Sequence, residues 1–178
     1  MTNMKTVLKK LPVIGVMGSG REAHEKYAIP LGHWLARHDY HLLTGGGGGV
    51  MEAVARAFIS VKPRAGLSIG IIPGRPGKSD YHPPAGYPNP YIELPVYTHL
   101  PDSGRKGTHP LSRNHINILS SDLLVFLPGG AGTHSELELA RRYGKPHICF
   151  GTTSIKAAHH ALSHEELFRL IPELLPAG

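Results

Sequence analysis

Short, continuous apolar runs alternate along this chain with stretches whose apolar positions recur at helical spacing, and most of the runs close on glycine. Residues 12–17 predict a buried strand that ends in Gly18-Ser19-Gly20. Residues 22–38 predict a helix with Ala28, Leu31, Trp34 and Leu35 on one face, and Pro30 is expected to kink it or to mark its true first turn. A second strand is predicted over 41–44, glycine fills 45–49, and a second helix follows over 50–58. The third strand, 67–72, stops at Pro73-Gly74.

From about 73 to 110 the rhythm breaks. Proline at 76, 83, 84, 88 and 90, with glycine at 77 and 86, predicts an irregular surface loop over 75–90. A strand at 91–96 and another irregular piece reaching Pro110 complete the stretch, and loops of such length in a compact domain often cover a site. Downstream come a helix over 112–119, the clearest buried strand at 122–127, a glycine turn at 128–133, a helix over 135–143, a strand at 146–150 and a helix over 154–175. This alternation implies parallel strands joined by helical crossovers. The expected fold class is α/β: a single doubly wound, Rossmann-like domain over 1–178, with a mostly parallel sheet and helices on both faces. Ligands bind such sheets outside the carboxyl ends of the strands, where the glycine turns at 18–20, 45–49 and 129–132 fall.

Composition narrows the class. A chain of 178 residues suits one domain, and 40% hydrophobic with 18% charged residues excludes a disordered segment. No apolar run approaches the roughly 18 residues of a membrane span. Lys5, Lys9 and Lys10 precede the first apolar run as in a signal peptide, but the run is too short and ends in a glycine turn, so it reads as a strand. The single cysteine, Cys149, excludes an internal disulfide and a multi-cysteine metal site; it is expected to be a buried small apolar residue of a cytoplasmic protein. Lys+Arg 19 against Asp+Glu 13 gives +6 and suits an anionic partner. The basic residues are scattered, with no basic helical stripe and no aromatic-basic alternation. That argues against nucleic acid and for a small phosphorylated molecule.

The chemistry concentrates in the glycine turns. Gly129, Gly130 and Gly132 lie between a strand and a helix, where backbone N–H groups at the helix start have no internal partner and the helix dipole favours an anion. Thr133 adds a hydroxyl donor. The plainer alternative is a tight turn that holds nothing. Gly45, Gly46 and Gly47 share the strand-turn-helix position, as do Gly18 and Ser19. No Gly-Lys-Ser/Thr follows, so this is not a Walker A loop, and the next strand end carries Pro73-Gly74-Arg75 in place of a ribose-binding carboxylate, which disfavours NAD. Glu136 is either the capping-box partner of an N-cap Thr133 or a carboxylate aimed into the phosphate crevice. Arg113 opens the helix that feeds the 122–127 strand.

Together these pieces resemble the LONELY GUY phosphoribohydrolases, long mislabelled as lysine decarboxylases. Residues 128–136, Pro-Gly-Gly-Ala-Gly-Thr-His-Ser-Glu, match the family's PGGxGTxxE signature; 44–51 resemble its first glycine motif, and Gly18-Ser19-Gly20 its phosphate-side turn. Arg113 falls where that family has the arginine that works with the signature glutamate. The resemblance spans roughly 12–150, and it implies catalytic roles for Arg113 and Glu136. In the cytokinin-activating members the arginine is followed by lysine, whereas this chain has Arg113-Asn114. Residues 112–121, with Asn114 and Asn117 as possible ligand contacts, look more like the sister branch of molybdenum cofactor carrier proteins. The 75–110 stretch fits neither closely.

The resemblance implies hydrolysis of the N-glycosidic bond of a nucleoside 5′-monophosphate to free base and ribose 5-phosphate, through an oxocarbenium-like state near Glu136. The alternative is non-catalytic carriage of a phosphorylated pterin, the molybdenum cofactor, or of a nucleotide. No metal and no resident cofactor is expected. Pyridoxal phosphate would need a pocket lysine, and no lysine lies in the three glycine turns. His159, His160 and His164, placed in the C-terminal helix, lack a carboxylate to complete a metal site. Ser19 and Ser135 lack the G-x-S-x-G elbow of a serine hydrolase. Surplus apolar residues on the helices at 50–58 and 112–119, with the family resemblance, imply a homo-oligomer built from dimers.

Overall fold

The computed structural model describes residues 10–75, 81–151 and 158–176. Lys5 and Lys9, Pro76 and Gly77, and the start of the helix expected over 154–175 lie outside them.

The elements run β1 (Val13–Met17), α1 (Glu25–Arg37), β2 (His41–Thr44), α2 (Val50–Ser60), β3 (Ser68–Ile72), β4 (Leu94–Tyr97), a 3-10 turn (Gly104–Lys106), α3 (Asn114–Leu119), β5 (Leu123–Phe126), α4 (Ala131–Arg142), β6 (His147–Phe150), β7 (His160–Ala161) and α5 (His164–Leu174). All strands join one 7-stranded sheet in the order β4-β3-β2-β1-β5-β6-β7, and every described pairing is parallel. Parallel strands are covered on both faces and so read as unbroken apolar runs, as β5 does, where all four residues are buried.

Alternate residues of each strand feed two cores. Ile14, Val16, Leu123 and Val125 pack with α1, α2 and α5 on one face, while Met17, Leu124 and Phe126 pack with α3 and α4 on the other. Chain order reverses at β1, which pairs with β2 on one side and β5 on the other. That is the topological switch point, and the crevice opens above it.

Several boundaries differ from the expected ones. Pro30 sits inside α1 rather than in its first turn, because the chain from Gly18 to His24 stays irregular and the helix begins only at Glu25. The C-terminal segment is not one helix: His160 belongs to edge strand β7, and only His164 opens α5. Strand β4 is parallel to β3 with no helix among the described residues between them, and the register leaves Leu94 and Val96 exposed on the same face as Ile69 and Ile71. The apolar surplus of α2 is used within the molecule, since its buried residues face both the sheet and α1. Cys149 is buried on β6.

Candidate functional site

The three glycine turns are joined through Ser19. Its N–H donates to Pro128 O (3.0 Å) and its carbonyl accepts from Val50 N at the start of α2 (2.9 Å), while its Oγ accepts from Arg21 N (3.1 Å) and Glu22 N (2.9 Å). Gly49, with φ of 64°, makes this possible, because a Cβ there would collide with the Ser19 carbonyl. Gly129 is needed for the same kind of reason, since a Cβ would strike the Thr133 hydroxyl and come within 2.9 Å of Ser19 N.

Gly130 and Gly132 differ. A Cβ on Gly130 would meet nothing within 4 Å, and one on Gly132 only Gly104 Cα at 3.9 Å. Neither has a φ in the left-handed range. Packing therefore does not explain them, and both leave the main chain bare on the cavity wall. Helix α4 starts at Ala131 with Gly130 as its N-cap, and the first helical hydrogen bond from its amide end is His134 N to Gly130 O (3.1 Å). The N–H groups of Ala131, Gly132 and Thr133 therefore have no helical partner, and they carry the positive end of the helix dipole.

This start corrects the capping-box alternative. Thr133 is the third residue of α4, not its N-cap, and Glu136 lies a turn further in. Its Oε1 accepts from Asn117 Nδ2 (3.0 Å) and lies 3.9 Å from Arg113 Nη1, with the Arg113 and Glu136 side chains 7% and 10% exposed. Burial pushes the Glu136 carboxyl above the ordinary glutamate range, while Arg113 and the Asn117 hydrogen bond pull it back down. Arg113, the N-cap of α3, lays its guanidinium against Gly45, where a Cβ would come within 2.5 Å of Nη2. Its Nη1 donates to Asn114 Oδ1 (3.3 Å), and its buried Nε has no partner.

The cavity above these residues has a volume of about 660 Å³. Of the sequence-predicted residues, Gly18, Ser19, Gly130, Gly132, Thr133, Arg113, Asn114 and Glu136 line it. Asn117 stands behind Glu136, Gly45 lies under Arg113, Gly47 lies under the Tyr87 ring, Gly46 accepts from Asn89 N (2.8 Å), and Gly129 supports Thr133. Sequence reasoning missed Arg21, Met17, Met51, Tyr87, Ser103 and Gly104, which complete the wall. The last two come from a loop tied to α4 by Ser135 Oγ donating to Gly104 O (2.8 Å). Prolines and glycines flanking Tyr87 and Gly104 marked these segments as loops but gave no sign of where they fold back.

Comparison with known proteins adds to this geometry. The sequence profile of the SLOG cluster4 family matches residues 11–172. An uncharacterized protein of Archaeoglobus fulgidus is 36% identical over 138 residues, covering 76% of this chain and 78% of that protein. The molybdenum cofactor binding protein from Rippkaea orientalis has a similar structure, with a TM-score of 0.74 and 29% identity over 92% of this chain and 97% of its own. So does the molybdenum cofactor carrier protein from Chlamydomonas reinhardtii, with a TM-score of 0.70 and 30% identity over 93% of this chain and 98% of its own. Among the described residues no helix is long and apolar enough to cross a membrane.

Proposed function

The chain belongs to the SLOG cluster4 family, and on that footing we propose that it binds and carries a small phosphorylated heterocycle, a phosphorylated pterin of the molybdenum cofactor type, as the similar binding and carrier proteins do. The state of Arg113 carries this reading. Its guanidinium is nearly buried, yet it has one long hydrogen bond to a neutral amide and an unpartnered Nε, and the Glu136 carboxyl oxygen beside it stands 3.9 Å away, beyond hydrogen-bond reach. A buried cation so poorly matched needs an anion. A ligand phosphate in the crevice accepts from Arg113 on one side and from the free N–H groups of α4 on the other. The metal of such a cofactor is cargo; the protein supplies the phosphate cradle and the walls.

A second reading is favoured by Glu136. A carboxyl raised by burial, one turn along the helix that holds the phosphate, is suited to protonate a departing base. That is the N-glycosidic hydrolysis of nucleoside 5′-monophosphates which the LONELY GUY resemblance implies, with Arg113 orienting the phosphate-ribose unit. Stabilising an oxocarbenium ion or activating water would instead require the ionised form.

One experiment separates the two. The purified protein is assayed for a co-purifying pterin by its fluorescence, then incubated with a panel of nucleoside monophosphates. Retained pterin and no release of ribose 5-phosphate establish carriage, whereas catalytic release establishes hydrolysis. With either reading goes the proposal of a cytoplasmic homo-oligomer built from dimers, which rests on the family resemblance.

A further inference from the structure

The segment around Tyr87 folds back onto the β2 turn and is fastened there by one side chain. Asn89 is buried; its backbone N donates to Gly46 O (2.8 Å) and its Nδ2 to Gly47 O (2.8 Å), while its Oδ1 accepts from Tyr91 N (3.0 Å). Tyr87 N donates to Pro84 O (3.1 Å), which closes the turn before it. These bonds hold the loop without help from the Tyr87 ring, which nevertheless rests on the crevice wall. A Cβ on Gly47 would lie 2.7 Å from the ring's Cζ and hydroxyl, so the missing side chain at Gly47 is what admits the ring. Tyr87 lines the cavity, as do Met17 and Met51.

The turn at 45–49 thus meets two different chemistries. Arg113 lies against Gly45 and Tyr87 against Gly47, and two residues of chain span at most about 7 Å. A cation and an aromatic side chain thus rest on one turn and line the same cavity. A planar ring gains from stacking on a flat π-surface and from contact with polarizable thioethers.

We infer that Tyr87 is the specificity-determining residue of the crevice, the platform on which the planar heterocycle of a phosphorylated ligand stacks while its phosphate is held at α4. The inference rests on the reading of the crevice as a phosphate site, and its test separates the two. Binding of neopterin monophosphate, GMP and ribose 5-phosphate is measured by calorimetry on the full chain and on Tyr87→Phe, Tyr87→Leu and Tyr87→Ala, with melting temperatures on the same samples. The intact protein binds the ring-bearing probes more tightly than ribose 5-phosphate. Tyr87→Phe retains that preference, whereas Tyr87→Ala weakens the ring-bearing probes about 10- to 100-fold, as loss of one stacking partner does, and leaves ribose 5-phosphate within about twofold. Should Tyr87→Ala fail to fold, Tyr87→Leu, which still covers Gly47, shows the same selective loss.

Equal weakening of all three probes would make Tyr87 a structural plug and overturn the inference, as would no preference for ring-bearing probes in the intact protein; in both cases the phosphate site stands. If none of the probes binds the intact protein, the phosphate site and the inference fall together.

Discussion

Arg113 Nη1 and Glu136 Oε1 lie 3.9 Å apart in a nearly closed environment, too far for a hydrogen bond and close enough for each to feel the other's charge. Each relies on an amide instead, Arg113 on Asn114 and Glu136 on Asn117. Such a pair is poised rather than closed. An anion entering the crevice would take up the guanidinium, and the pull that Arg113 exerts on the carboxyl would then be shared with it.

Replacing either partner separates binding from chemistry. Arg113→Ala should cost about 2–5 kcal/mol of phosphate-ligand affinity, the usual consequence of truncating one side of a buried charge pair. Glu136→Gln keeps the shape and the Asn117 contact, so affinity should change by less than about 0.5 kcal/mol, while any glycosidic hydrolysis should collapse. Calorimetry and ribose 5-phosphate release on one sample decide it; a Gln variant with undiminished turnover removes Glu136 from the chemistry.

The direction of the Glu136 shift fixes a pH dependence. A carboxyl whose folded value lies above its unfolded one binds more protons in the native state, so its stabilising contribution is present below the unfolded value and is lost as pH rises through the folded one. Glu136→Gln should remove that loss. In melting curves recorded without ligand, the variant should gain on the parent protein as pH climbs out of the normal glutamate range and through the raised one. Parallel profiles would mean that Glu136 stays fully paired across the window.

Gly132 offers a test in which stability and binding move in opposite directions. It lies in the first turn of α4 with nearly open space beyond it, so Gly132→Ala should leave the fold intact and raise stability by up to about 1 kcal/mol through helix propensity. The new methyl group stands where a phosphate would approach the backbone, so affinity should fall. A variant that melts higher and binds as well would place the anion elsewhere.

Assembly can be checked at the uncovered part of the sheet. Leu94 and Val96 are 45% and 39% exposed on β4, and Leu119 on α3 is 50% exposed. Light scattering should report at least twice 19.2 kDa, and Val96→Asp should shift the protein toward the monomer. A parent protein that runs as a monomer at all working concentrations ends the expectation.

Cys149 supplies a probe of global opening. Burial pushes its thiol up to about 11 with only a partial offset from Arg141. Ellman's reagent at neutral pH should leave the native thiol untouched and titrate one thiol per chain in denaturant. Reaction at the native rate of a free thiol would show that β6 opens locally.

The amino-acid pattern reveals the alternation of strands and helices because buried parallel strands must be apolar on both faces, as Leu123 to Phe126 are. It brings Arg113, Thr133 and Glu136 to one crevice because chain order reverses at β1 and both flanking turns are rich in glycine. Of the two alternatives the sequence leaves for Glu136, the capping box fails on register. Thr-His-Ser-Glu has the spacing of a capping box, but Gly130 ends the turn earlier and the helix begins before the threonine. Tyr87 and Asn89 were illegible for a different reason. Their positions depend on hydrogen bonds to Gly46 and Gly47, forty residues away in the chain, and loop composition carries no trace of such a partner.

The tie at Ser19 determines how freely the mouth of the crevice can move. One residue anchors the β5 turn through its N–H and the start of α2 through its carbonyl, so neither rim can swing open without breaking a bond to Ser19. The Ser19 and Val50 amides should exchange with solvent slowly even in the empty protein. A vessel with a fixed mouth loads by diffusion and loses little entropy on filling. A ligand bound there would be held by the fit of the walls rather than by a closing lid.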